Sequence, residues 1–423
     1  MSYHKKKIDD FQQHRKFPTK PLIKRKYLNE LESSESDSTA DIHPSERPLK
    51  ARLESFKTRT IWTLLMFGGF LLIVAAGHLY CCLLVLLANT FIYKEILSIK
   101  RNEQRDSKLP FFYIINWYFF ILTELCTTSI LLEERILLLG GTAIELLYQY
   151  HYVTFFSLYV LGIVLFVISL RKGSYKYQFM IFAWTHIACL LVVTQSTTIL
   201  MNIYTGLIWF LLPALLVVVN DCFSYIFGVF FGRIQLIKVV PDKTLEGFIG
   251  GLLSTIISAY ILSHALAQYD YFLCPQPEII LTPFTSLTCN SEDILMKKER
   301  ILPWVFQYIG LSTINASSLE LHAMVLGVFA GFIAPFGGFF ASGVKRAFNL
   351  KVFGDSIPGH GGITDRMDCQ IMMGMFTFVW IHSIVLKKPP SIASVMVQVM
   401  SMEHNDQVYL LEQLKEALEN RNN

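Results

Sequence analysis

The chain has 423 residues, of which 53% are hydrophobic and 17% are Asp, Glu, Lys or Arg, with a formal net charge of +4. Soluble domains carry about 25% charged residues, so the composition excludes an ordinary water-soluble globule, and the same apolar content excludes disorder over the whole chain. The charge is too small for a nucleic-acid binder, and the basic residues lie between long apolar blocks, where they read as membrane topology. The cysteines show no CxxC spacing, which leaves zinc and thioredoxin-like sites without support.

Residues 1–58 read as a disordered cytosolic tail, basic at first (Lys5, Lys6, Lys7, Arg15, Lys16) and then acidic and serine-rich. No signal peptide is expected, because the first apolar block comes too late. The transmembrane domain is expected over residues 59–386. From Thr60 to Tyr93 there is no acidic residue, Lys or Arg. A membrane span needs about 20 apolar residues, so this run holds two short spans hinged near Gly77-His78. A basic loop begins at Lys94. The next spans cover about 111–132, 152–170, 179–200 and 205–219, followed by a polar interruption at Asn220-Asp221. A short aromatic helix (225–233) and a polar loop (234–247) come next. Further spans cover about 248–267, 321–340 and 370–386. Residues 387–423 form a C-terminal tail with an apolar stretch (394–402) and a polar helical end (406–420). The fold class is all-α: a polytopic integral membrane protein with roughly 8–10 transmembrane helices.

Alternating these spans gathers the basic loops at Lys94, Arg171, Arg233 and Lys345 on one face, which the positive-inside rule makes cytosolic. The segment 268–320 then falls on the opposite side. It contains Cys274, Cys289 and the sequon Asn315-Ala316-Ser317, and a disulfide and a glycan both require that side.

The stretch 342–368 differs from every other loop. It gathers Ser342, Lys345, Arg346, Lys351, His360, Asp365, Arg366 and Asp368 beside a span end, with Pro358, Gly359, Gly361 and Gly362 among them. Asp365 and Asp368, three apart, share one face if they open the last helix. Two carboxylates with cations nearby suit Mg²⁺ bound to phosphates; capping of the helix N-terminus is the alternative. Glycines there let backbone N–H groups approach phosphate oxygens, and His360 is a phosphate donor or a turn residue. Asn220 and Asp221 end an uncharged run, where ionisable groups are functional candidates, and the following loop offers Lys243, Thr244 and Glu246. Glu124 and His186 read as satisfied structural groups.

With these residues in place, the sequence resembles the CDP-diacylglycerol synthases (phosphatidate cytidylyltransferases). That family's signature, S-x-x-K-R-x4-K-D followed by P-G-H-G-G and D-R-x-D, is matched at Ser342, Lys345, Arg346, Lys351, Pro358, Gly359, His360, Gly361, Gly362, Asp365, Arg366 and Asp368. The eukaryotic branch is similar further upstream, at Trp184-Thr185-His186, Val192 to Ser196 and Asn220 to Arg233. The resemblance implies transfer of CMP from CTP to phosphatidate with Mg²⁺, in a multi-pass endoplasmic reticulum membrane protein whose active site faces the cytosol. The bilayer is its setting and no nucleic acid is involved; a homo-oligomer stays open. On that reading Asp365 and Asp368 are expected as metal ligands, with Asp221 as a candidate third carboxylate. The same reading implies Lys345, Arg346 and Arg366 as neutralising CTP phosphates or pyrophosphate, Lys351 as meeting the phosphatidate headgroup, and Ser342, Lys243, His360, Gly361, Gly362 and Asn220 as contacting substrate.

Three positions depart from the family pattern. Val352 stands for an acidic residue, with Asp355 as a candidate substitute. Asp242 and Leu245 replace a lysine and a tryptophan; Gly338, where bacterial members carry an aspartate, is as in eukaryotic members. Two other readings therefore stay in view: a CTP-dependent polyprenol kinase-like enzyme, and a catalytically impaired paralogue acting as a lipid-binding scaffold. A transporter is a third.

Overall fold

The computed structural model describes residues 49–101, 109–133, 148–238, 240–276, 297–301, 313–357, 361–386 and 404–422, with isolated positions between these stretches. The chain groups into two compact units, Met1–Ile61 and Trp62–Asn423, and every candidate site residue belongs to the second. Residues 1–48 of the expected tail lie outside the described residues.

Apolar runs become helices because a backbone in lipid must satisfy its own hydrogen bonds. In chain order these are α1 (Leu49–Ala76), α2 (His78–Ser98), α3 (Pro110–Leu131), α4 (His151–Ile168), α5 (Tyr175–Thr205) and α6 (Ile208–Phe231). A hairpin of β1 (Gln235–Ile237) and β2 (Val240–Thr244) leads to α7 (Leu245–Leu266) and the short α8 (Asp270–Leu273). Strands β3 (Lys297–Ile301) and β4 (Thr313–Ser317) pair antiparallel before α9 (Ser318–Phe332), α10 (Pro335–Ala347), α11 (Thr364–Trp380) and α12 (His404–Asn422). Among the described residues, 8 helical stretches are long and apolar enough to cross a membrane, with α9 and α10 counted together; α1 adds a shorter apolar segment, Thr60–Ala76. Large apolar side chains such as Phe111, Phe156, Leu190 and Ile257 are exposed on their outer faces, as lipid contact requires. The all-α polytopic expectation holds.

The interior has three apolar clusters. One joins α2, α3 and α5 around Tyr93, Phe119 and Val192; one joins α6, α7, α9 and α11 around Leu212, Ala259, Leu326 and Met373; one joins α1, α2, α5 and α6 around Cys81, Ile203 and Leu211. Helices α6 and α7 approach closely because glycines face the seam. A Cβ at Gly250 would lie 2.3 Å from the Phe227 ring, and one at Gly251 would lie 2.0 Å from Ser224 Oγ. Small residues at such crossings let backbones meet in a membrane.

Several boundaries differ from expectation. Helix α6 runs unbroken through Asn220-Asp221, because Asn220 turns inward to accept from Thr255 Oγ1 at 3.3 Å while Asp221 projects sideways, so neither polar group competes with the helix backbone. The expected polar loop after it is the β1–β2 hairpin, closed by Glu246 accepting from Arg233 N and Ile234 N at 3.1–3.2 Å. The expected span 321–340 breaks at Ile333-Ala334, one residue before Pro335, which has no N–H to continue the ladder. Helix α11 starts at Thr364 rather than near 370, and α1 starts at Leu49, inside the expected tail.

In segment 268–320, Cys274 and Cys289 form a disulfide. Ser317, the last residue of the sequon, caps α9 in a reciprocal capping box with Glu320. The disulfide loop packs near the start of α6, where Gln276 N donates to Tyr204 O at 3.2 Å. Asp221 lies thirteen residues further along α6, about 20 Å at the usual helical rise. The disulfide and the polar stretch 342–368 thus sit toward opposite ends of the bundle.

Candidate active site

A cavity of about 400 Å³ opens where the second half of α6, the β1–β2 hairpin, α10 and the first turn of α11 meet. Its polar wall is made by Asn220, Asp221, Lys243, Ser342, Asp365 and Asp368, and its apolar wall includes Tyr225, Val229, Phe248 and Phe339. Six residues far apart in sequence therefore converge, three of them carboxylates.

Each side chain is aimed by its element. Helical spacing places Asp365 and Asp368 on the cavity face of α11. Asp368 is also in contact with its own turn, accepting from Cys369 N at 2.7 Å. Asp221 pairs with Lys243 at 3.6 Å, and both are partly exposed to the cavity. Thr244 caps α7 by accepting from Gly247 N, which holds the hairpin carrying Lys243 against that helix. Asp221 and Asp368 thus reach the same cavity from α6 and α11.

Asp365 is the most tightly held of the three. Its Oδ1 accepts from Lys345 Nζ at 2.7 Å, and its Oδ2 accepts from Phe353 N at 3.0 Å and Gly362 N at 3.4 Å. Lys345 thus stands behind Asp365 and does not line the cavity. Arg346 is on the exposed side of α10, and Lys351 is exposed in the following loop. Arg366 points away from the cavity and lines a second, apolar cavity of about 460 Å³ with Phe70, Val85, Pro213 and Gln370. Gly361 and Gly362 lie beside the Asp365 carboxylate, the first with φ +84°. His360, with Pro358 and Gly359, falls outside the described residues. Asp355 is exposed and does not line the cavity, while Val352 packs against Gly361. A Cβ at Gly338 would lie 3.4 Å from Asp368 Oδ2, so a carboxylate at that position would enter the same cavity that Asp221 reaches from α6.

One residue escaped the sequence reading. Glu95, near the end of α2, is 4% exposed and accepts from Ile363 N at 3.0 Å and Thr364 N at 2.8 Å, and from Ser356 Oγ. The only signal was a lone carboxylate beside Lys94 at a span end, masked by the basic loop that follows. The Trp184-Thr185-His186 motif serves the same region: Trp184 Nε1 donates to Ile96 O at 2.9 Å. His186 contacts Phe182 O and Tyr159 OH, as expected of a satisfied structural group, whereas Glu124 accepts from Ser196 Oγ through one oxygen and its other oxygen is buried without a hydrogen-bond partner, so that expectation holds only in part.

The cytidylyltransferase family profile matches residues 57–384, which contain every residue of this cavity. The chain belongs to the cytidylyltransferase family. The chain is 41% identical to phosphatidate cytidylyltransferase 1 of Arabidopsis thaliana over 358 residues, covering 83% of this chain and 84% of the relative. It is 40% identical to a putative phosphatidate cytidylyltransferase of Schizosaccharomyces pombe over 370 residues (86% and 84%). It is 37% identical to the phosphatidate cytidylyltransferase of Saccharomyces cerevisiae over 393 residues (90% and 84%).

Proposed function

We propose that the chain is a phosphatidate cytidylyltransferase, transferring CMP from CTP to phosphatidate and releasing pyrophosphate, with Mg²⁺ as cofactor. The observation that carries this reading is the convergence of Asp221, Asp365, Asp368, Lys243 and Ser342 on one cavity whose other wall is apolar. Such a cavity suits a reaction between a polyphosphate and a lipid headgroup.

The nucleophile is a phosphate monoester whose second pKa is about 6, so it is already anionic and needs no general base. The barrier lies in bringing two anions together, and catalysis rests on positioning and charge neutralisation. Among the described residues, no three His, Cys, Asp or Glu side chains could hold a metal ion by themselves. Asp221 and Asp368 nevertheless line one cavity, a donor set that fits Mg²⁺, which takes one or two carboxylates and completes its shell with water and phosphate oxygens. Two carboxylates lining one cavity favour a cation between them. When bound, the metal would neutralise phosphate charge. Asp368 and Asp221 would hold it, and Asp365, locked by Lys345, would fix the geometry of the first turn of α11. Lys243, partly exposed and paired only loosely with Asp221, would swing to a CTP phosphate. Ser342 would donate to a phosphate oxygen. The apolar wall would take the start of the phosphatidate acyl chains.

We place the protein in the endoplasmic reticulum membrane with the cavity facing the cytosol. The Cys274–Cys289 disulfide supports this orientation, since it needs an oxidising compartment and lies toward the opposite end of the bundle from the cavity. The test is an assay of purified protein with CTP and either phosphatidate or a polyprenol, with Asp368→Asn alongside. CDP-diacylglycerol formed from phosphatidate, and lost in the variant, supports the proposal. Phosphorylated polyprenol would support the kinase-like alternative, and CTP binding without any product would support a scaffold.

A further inference from the structure

We infer that Glu95 is a positioning residue for the reaction: from α2, it holds the glycine-rich segment and the first turn of α11 so that Asp365 and Asp368 face the cavity. This rests on the reading of that cavity as the catalytic site.

The first N–H groups of any helix lack partners within it. The N-cap position of α11 is Ile363, whose side chain cannot accept, and no side-chain cap is made there. The missing acceptor comes from Glu95, 268 residues earlier, whose carboxylate takes the N–H groups of Ile363 and Thr364 at 3.0 and 2.8 Å. A negative group at that point also answers the partial positive charge of the helix N-terminus. Ser356 Oγ donates to the same carboxylate from the other limb of the loop. Glu95 thus bridges the two sides of the segment that carries the family's glycine-rich motif.

The loop is shaped to receive it. A Cβ at Gly362 would stand 2.6 Å from Glu95 Oε2, and one at Gly354 would stand 3.0 Å from Oε1. Gly362 is therefore required by the approach of Glu95, and its own N–H is directed at Asp365. On the opposite side of the loop, Asp365 accepts from Phe353 N and from Lys345. The segment is clamped between two carboxylates: Asp365 lines the cavity and Glu95 does not. Through the loop, Glu95 sets the position of Asp365 and the orientation of the helix turn that carries Asp368.

The end of α2 is anchored independently of Glu95. Trp184 Nε1 binds Ile96 O, and Lys100 Nζ sits 4.2 Å from the centre of the Phe348 ring. Loss of the carboxylate charge should therefore disturb the loop more than the bundle.

The experiment compares Glu95→Gln, Glu95→Asp and Ser356→Ala in the full chain, purified in detergent. It measures kcat, KM for CTP, KM for phosphatidate, the Mg²⁺ concentration for half-activation, and thermal stability. Loss of a group that orients a ligand-bearing turn costs about 10- to 100-fold. Glu95→Gln should lower kcat by about that factor and raise the Mg²⁺ requirement, with KM for phosphatidate and the melting temperature little changed. Glu95→Asp should recover part of the rate, and Ser356→Ala should show a smaller loss of the same kind. Wild-type kcat and Mg²⁺ dependence in folded Glu95→Gln would overturn the inference, as would a loss confined to thermal stability. If Glu95→Gln does not fold, Ser356→Ala decides alone: an unchanged Mg²⁺ requirement would overturn the inference. Asp368→Asn, run in parallel, separates the two levels. Full activity there would defeat the reading of the cavity, whereas an inactive Asp368→Asn beside an unaffected Glu95→Gln would defeat only the role of Glu95.

Discussion

Lys345 and Asp365 form an ion pair of 2.7 Å, with side chains only 19% and 9% exposed. Both belong to the motif that marks the family, and read from the sequence Lys345 suggests contact with substrate phosphates and Asp365 a metal ligand. The geometry gives them a joint structural role. The lysine compensates the carboxylate, and the carboxylate gathers the backbone N–H groups of Phe353 and Gly362. Removing one partner of such a pair strands the other charge, at a cost of about 3 kcal/mol or more. Lys345→Met should lower the melting temperature of the purified protein and abolish turnover, while Lys345→Arg should retain much of the stability. Thermal unfolding and CDP-diacylglycerol formation, measured on the same preparations, check both.

Asp221 and Asp368 should behave differently from Asp365. Each faces the cavity with fewer internal partners than Asp365, so neutralising either should cost little stability. Asp221→Asn and Asp368→Asn should fold normally and melt no lower than the native chain. We expect each to lose activity, with Asp221→Asn partly rescued by raised Mg²⁺. Mg²⁺ titrations of initial rate against melting curves would reveal the split; a fall in stability with unchanged Mg²⁺ dependence would contradict it.

The Cys274–Cys289 bridge closes a loop of sequence separation 15. On the chain-entropy model such a bridge contributes about 3 kcal/mol. Cys274→Ser or added reductant should therefore lower thermal stability while leaving KM for CTP unchanged, because the loop lies toward the other end of the bundle from the cavity. Melting curves and CTP kinetics with and without reductant test this.

The α6–α7 seam predicts a packing defect. Gly250→Ala would drive a methyl group into the base of the Phe227 ring, where atoms at 2.3, 2.6 and 2.7 Å leave no room. Overpacking of this kind costs about 1–3 kcal/mol. Since α6 carries Asp221 and the hairpin before α7 carries Lys243, the variant should lose both stability and activity; thermal unfolding beside initial rates would register the two losses together.

The bundle was legible in the sequence because the bilayer imposes one rule on every span: length and apolarity together. The carboxyl-terminal motif was legible because its residues are contiguous. Contacts across large sequence separations were not, and the Glu95–Thr364 hydrogen bond is one such case. The continuity of α6 was missed because Asn220-Asp221 reads as an interruption until Thr255 is seen to satisfy Asn220. The placement of Arg366 was accessible in principle. Adjacent residues on a helix differ by about 100° in direction, so Arg366 could not face the same way as Asp365, and it lines the apolar cavity instead. The hairpin after α6 left little periodicity to read, being only three and five residues per strand.

If the cavity joins the α-phosphate of CTP to a lipid phosphate, isotopic labelling will show which phosphorus atom reaches the lipid. Purified protein is supplied with phosphatidate, Mg²⁺ and CTP labelled at either the α- or the γ-phosphate, and the lipid product is extracted. The α-label should enter the lipid and the γ-label should leave as pyrophosphate. Label from the γ-phosphate in the lipid, with none from the α-phosphate, would contradict CMP transfer.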